Sequence, residues 1–209
     1  MQSKSLLAGA VVLLIAVGAA GTSRSESSPG VGDLYRKSYR AEAAGRQEEA
    51  LATMVTIRSR AGDSYFVHVR TAWLAYLGGR HAESEQAYRR AIAADPKAIE
   101  PKLGLTLPLL AAKKWRALER ACRDVLAVDP KNNHARARLA HAYYSLGNYP
   151  DAATLYRGLV ADYPAELDHQ TGLGWCLLKM GRAKEAKQLF TAVLAVSPDN
   201  PNARQGMEL

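Results

Sequence analysis

Apolar residues recur along this chain at the three-to-four-residue spacing of helices that bury one side, in short runs separated by polar turns. The clearest run is 133–166, which begins NHARARLAHAYYSLGNYPDAATLY. Its first half predicts a helix with Leu139, Ala140, Tyr143 and Leu146 on one face. Its second half predicts another with Ala152, Tyr156, Leu159 and Val160. Gly147 and Asn148 supply the turn between them. Pro164 stops the second helix, because proline has no N–H to donate and its ring clashes with the preceding turn. No stretch shows the strict alternation of a half-buried strand. A single hairpin of this kind leaves its apolar stripe in water unless similar hairpins stack on it.

The stacking partners follow from the same pattern. A window of 34 residues repeats without insertion from Val31, Tyr65, Ile99, Asn133 and Leu167. The eighth place carries Ser38, Ala72, Thr106, Ala140 and Gly174, and the twentieth Ala50, Ser84, Leu118, Ala152 and Ala186. Small groups there let two helices approach closely. The twenty-fourth place carries Met54, Tyr88, Cys122, Tyr156 and Phe190, sized to fill the gap between repeats. The turn place is Gly45, Gly79, Lys113, Gly147 and Gly181, and the closing place Gly62, Pro96, Pro130, Pro164 and Pro198.

This arrangement resembles the tetratricopeptide repeat family. The resemblance covers 31–200 and implies an all-α, right-handed solenoid of five antiparallel hairpins: 31–64, 65–98, 99–132, 133–166 and 167–200. Residues 201–209 are expected to form a short cap, with Asn200 as its N-cap. The first repeat is the least regular, with Lys37 and Arg58 where later copies carry Leu or Val. A polar outer face suits a terminal capping repeat. Pro101 fits the first turn of its helix, whereas Pro108 lies inside the same helix and predicts a kink.

The N-terminal part is different material. Lys4 precedes an uncharged run, Leu6–Ala20, rich in Leu, Val, Ala and Gly, with small residues at Gly18–Ala20 suited to cleavage. Residues 1–21 therefore read as a secretory signal peptide, with an uncleaved N-terminal anchor as the alternative. No cysteine closes the run, so lipoprotein anchoring is not expected. Residues 22–30 read as a flexible linker. The repeats are expected to be exported, periplasmic or secreted, touching a membrane only through an uncleaved N-terminus.

Charge adds one feature. The formal net charge is +8, from 28 Lys and Arg against 20 Asp and Glu. An exported basic surface is suited to acidic proteins, anionic surfaces or glycans; no nucleic-acid motif is present. Cys122 and Cys176 lie a whole repeat apart, too far to bridge, and read as buried free thiols. The sequence holds no HExxH, GxSxG, CxxC or glycine-rich phosphate loop. His134 and His141 are two helical turns apart, too distant to share an ion. No catalytic residue, metal or cofactor is expected.

What the family resemblance implies is a groove, lined by the first helix of each repeat. Carried over by position, its lining is Tyr35, Arg36 and Tyr39, then Phe66, Val69, Arg70, Trp73 and Tyr76, then Leu103, Leu107 and Leu110. Next come Arg138, His141 and Tyr144, then Thr171, Trp175 and Leu178. The alternative for Leu103 and Leu107 is interior packing. Aromatic anchors with arginines between them suit a binding surface, so Arg36, Arg70 and Arg138 are expected to set register and favour acidic ligands. The Lys/Asn clamp by which some relatives grip terminal carboxylates is missing its asparagines. The expected function is an exported, non-catalytic scaffold that binds a protein or peptide in assembly of an envelope complex. The alternative is an accessory role in envelope polysaccharide assembly or export, with glycan stacked on groove aromatics.

Overall fold

The structure, a computed structural model, describes residues 29–209. The expected leader at 1–21 and nearly all of the expected linker lie outside the described residues. From Val31 onward the chain folds as five helical hairpins and a final short helix. These are α1 (Val31–Ala43) and α2 (Gln47–Ala61), α3 (Tyr65–Leu77) and α4 (His81–Ala94), and α5 (Glu100–Ala111) and α6 (Trp115–Leu126). They are followed by α7 (Asn133–Ser145) and α8 (Tyr149–Asp162), α9 (Leu167–Lys179) and α10 (Ala183–Val196), and α11 (Pro201–Met207). Among the described residues there is no strand.

Each hairpin closes the same way. The backbone N–H after the turn reaches five residues back: Arg46 to Ala41, Arg80 to Ala75, Lys114 to Leu109, Asn148 to Tyr143 and Arg182 to Leu177, all at 2.8–2.9 Å. This bond satisfies a carbonyl that the first helix would otherwise leave unpaired, and it needs a residue in the left-handed region between the two helices. Gly147 takes that conformation at φ 82°, and Lys113 takes it at φ 53° despite its side chain. The small places do what their size predicts. Ser38, Ala72, Thr106 and Ala140 are fully buried, as are Ala50, Ser84, Leu118, Ala152 and Ala186. The Ser38 hydroxyl also donates to the Ala50 carbonyl across the hairpin at 3.3 Å.

Side-chain caps precede α3, α7 and α11. Ser64, Asn132 and Asn200 accept from the backbone N–H groups of Val67, Ala135 and Ala203. Lys37 and Arg58 are exposed, so the first repeat does present a polar outer face. Pro101 sits in the first turn of α5, and the helix runs as one element through Pro108.

Every helix packs against its neighbours in the chain, and the odd-numbered helices also touch one another: α3 with α5, α5 with α7, α7 with α9, α9 with α11. Closer spacing in one layer of a stack curves it toward that layer. The odd helices therefore form the concave side. The core follows the stack as three successive clusters, around Met54 and Leu74, around Leu109 and Leu118, and around Leu159 and Phe190.

Candidate functional site

The concave face carries two hollows of one design. The first, about 380 Å³, is lined by Val69 and Trp73 of α3, Tyr88 of α4, Glu100, Leu103, Gly104 and Leu107 of α5, and Arg138 of α7. The second, about 610 Å³, is lined by His141 and Tyr144 of α7, Tyr156 of α8, Asp168, Thr171, Gly172 and Trp175 of α9, and Asn202 and Gln205 of α11. In repeat register the two coincide. Each is floored by a glycine at the sixth place, walled by the tyrosine at the twenty-fourth place of the preceding repeat, and rimmed by a carboxylate at the second.

The glycines are there for the rings. A Cβ on Gly104 would lie 2.3 Å from the Tyr88 ring, and one on Gly172 would lie 2.6 Å from the Tyr156 ring. Gly206 of α11 meets Phe190 in the same way, at 2.3 Å. Where the twenty-fourth place is smaller, the next sixth place is an arginine: Met54 is followed by Arg70, and Cys122 by Arg138. Burial pushes the Cys122 thiol up to about 12 although the Arg138 charge beside it pulls the other way. Seams therefore come in two forms, ring against glycine or non-aromatic side chain followed by arginine. Both hollows open at glycine seams. Burial also pushes the Tyr88 phenol up to about 12 and Tyr156 higher still, so both rings stay neutral walls.

The profile of the tetratricopeptide repeat family matches residues 35–99, 110–166 and 137–201. The chain belongs to this family. Among solved tetratricopeptide repeat structures it resembles MamA from Desulfovibrio magneticus RS-1, at 18% identity and a TM-score of 0.76, over 84% of this chain and 99% of that one. It resembles YrrB, described as a TPR protein with an unusual peptide-binding site, at 12% identity and a TM-score of 0.74, over 86% and 93% of the two chains. A thermophilic TPR protein of Thermus thermophilus aligns at 16% identity and a TM-score of 0.61, over 86% and 100%. At these identities the likeness is one of fold. No curated protein matches the chain in sequence.

Within the tetratricopeptide repeat frame, most residues expected in the groove lie on its concave helices, but the arginines have other tasks. Arg70 is 7% exposed, paired with Glu42 and stacked 3.7 Å above the Tyr39 ring. Arg138 is partly buried and donates to the Leu103 carbonyl at 3.2 Å and to the Thr106 hydroxyl. Arg36 is exposed and held by Asp33. The expectation that Arg70 and Arg138 offer free positive charge to an acidic ligand is therefore corrected. Arg70 and Arg138 stand in the seams whose twenty-fourth place is not aromatic.

The aromatic set divides by surroundings. Tyr35 and Phe66 meet edge to face at 5.5 Å near the first seam. Trp73 donates its indole N–H to Glu42 at 2.7 Å and lies 5.9 Å from Tyr76. Trp175 lies 5.8 Å from Phe190, and Tyr144 lies 5.5 Å from Tyr149, each pair edge to face. His141 meets Trp115 edge-on at 5.4 Å, and burial holds its pKa below the ordinary histidine value. Leu103 and Leu107 line the first hollow instead of packing inside the stack. Sequence reasoning missed Glu42, Glu100, Asp168, Asn202 and Gln205. Their register was available: Asp168 stands where Phe66 stands, and Glu42 where Tyr76 and Tyr144 stand. Among the described residues no three His, Cys, Asp or Glu side chains gather as metal ligands, and no helix is long and apolar enough to cross a membrane.

Proposed function

We propose that this protein is a non-catalytic scaffold that holds an extended segment of a partner protein along its concave groove, and that it does so outside the cytoplasm. The observation that carries the binding reading is the pair of glycine-floored hollows, repeated in register on the concave face and walled by Trp73, Tyr88, Tyr156 and Trp175. Concave sites with aromatic walls and a few fixed polar groups are where small ligands and side chains are held. The peptide-binding site named for YrrB supports the same reading by analogy of fold. Support for export comes from residues 1–21 alone: a basic start, an apolar run and small residues at its end.

Site-specific photo-crosslinking tests the binding reading. A crosslinker at Tyr144 should capture one protein species from the envelope fraction, and a crosslinker at exposed Arg157 on α8 should not. Capture at both positions alike, or capture of carbohydrate alone, overturns it. Fusion of residues 1–30 to a reporter that is active only outside the cytoplasm tests export; an inactive fusion overturns that part.

A further inference from the structure

The two hollows differ in what they can hold. The first is walled by Val69, Trp73, Leu103 and Leu107, and Arg138 stands on its rim opposite Glu100. Glu100 is already bound there by the Tyr65 hydroxyl, at 3.2 Å. Charge is balanced in that hollow and the walls are apolar. The second hollow has one formal charge among its lining residues, Asp168, and among the described residues Asp168 makes no ion pair. Three rings, Tyr144, Tyr156 and Trp175, stand around the same space. His141 does not compete, since burial favours its neutral form.

Elsewhere in the groove the cations already have partners. The places that line the hollows are the second, fifth, sixth, ninth and twelfth of each first helix. Across α1 to α11 those places carry the acids Glu42, Glu100 and Asp168, and their three arginines are engaged: Arg36 with Asp33, Arg70 with Glu42, and Arg138 with the Leu103 carbonyl and the Thr106 hydroxyl. Asp168 also stands in the first turn of α9, where any acid complements the helix dipole. That explains an acid in this turn but not one set among three rings with no partner.

We infer that the groove selects a basic, apolar-anchored peptide: a Lys or Arg side chain enters the hollow of Asp168, Tyr144, Tyr156 and Trp175, and an apolar side chain of the same strand fills the hollow of Trp73, Leu103 and Leu107. A cation over aromatic faces beside an unpaired carboxylate gains from both. The inference rests on the groove reading above and adds the chemical class of the partner. The hollows are two inner-helix steps apart, each about 8–10 Å. An extended strand covers that in about five or six residues at 3.3–3.6 Å each.

The test is selection of a displayed library of random dodecapeptides on the full chain. Enriched peptides should carry Lys or Arg about five or six residues from a bulky apolar residue. Asp168→Asn should weaken a selected peptide about tenfold, and selection on Asp168→Lys should move the preference to Asp or Glu at the same spot. Circular dichroism on each variant checks that it is folded, which exposed Asp168 favours. Enriched peptides that are acidic or uncharged there, yet lose binding in Trp175→Ala and Leu107→Lys, overturn the basic class and leave the groove reading standing. Peptides indifferent to all of these substitutions, or a selection that enriches nothing, overturn both.

Discussion

Lys113 occupies the one hairpin turn of the five that lacks glycine, and its backbone adopts the same left-handed conformation at φ 53°. An L-residue held there costs about 1–2 kcal/mol, because its Cβ crowds the following carbonyl. Lys113→Gly should therefore raise stability, by about 0.5–1 kcal/mol once the extra freedom of glycine in the unfolded chain is set against it. Gly147→Ala should do the reverse, by about 1 kcal/mol, although no atom lies within 4 Å of the added methyl. Urea titration of the two variants decides this. Equal midpoints for Lys113→Gly and the parent chain would mean that the turn is not strained. The arginines teach a related lesson at the same scale. Arg70 and Arg138 look like surface cations by residue type, but each follows a non-aromatic twenty-fourth place, Met54 or Cys122, and is drawn into the packing.

Among elements, the seam between one hairpin and the next is the unit that matters, and it yields a double-mutant cycle. Tyr156→Cys alone should leave a void and cost about 3–5 kcal/mol. Gly172→Arg alone should drive a long side chain into the Tyr156 ring. Together they recreate the Cys122–Arg138 form, so the double variant should be at least about 1 kcal/mol more stable than the sum of the singles. Thermal and urea melts of the four chains measure the coupling; additive losses would sink the idea of interchangeable seam forms. The helices themselves were readable from the sequence, because small residues at the eighth and twentieth places and glycine turns repeat at a constant period. The groove was readable only in part. Position in the repeat shows which face a residue is on, so Trp73, Tyr144 and Trp175 were found. It does not show what a neighbouring repeat leaves open, so the burial of Arg70, and the choice between groove and interior for Leu107, needed the packed structure. Asp168 and Glu42 carry no such signal in the sequence, because a single carboxylate on a helix surface is ordinary.

At the scale of the whole molecule, the buried acids of the core link stability to alkali. The Cys122 and Cys176 thiols, ordinarily near 9, are pushed up to about 12 by burial, and Tyr88 is raised in the same sense. Between the unfolded and folded values the unfolded chain sheds protons that the folded chain keeps, so stability is full below about pH 9 and falls as pH rises beyond it. Replacing both cysteines with alanine should lower the melting temperature at pH 7 but flatten its decline between about pH 8 and 11. An unchanged slope would remove the thiols from the account.

The two seam forms also decide which pieces of the chain can be cut out. Excising 99–132 sets Tyr88 against Arg138, two bulky groups competing for one slot. Excising 167–200, a segment of the same length, sets Tyr156 against Gly206, a fit of the kind the chain already uses at its C-terminal end. Both products keep four repeats and the last helix, yet the second should melt higher. The modules share a period but behave like gear wheels of two tooth sizes: one can be lifted out only where the teeth left facing each other still mesh.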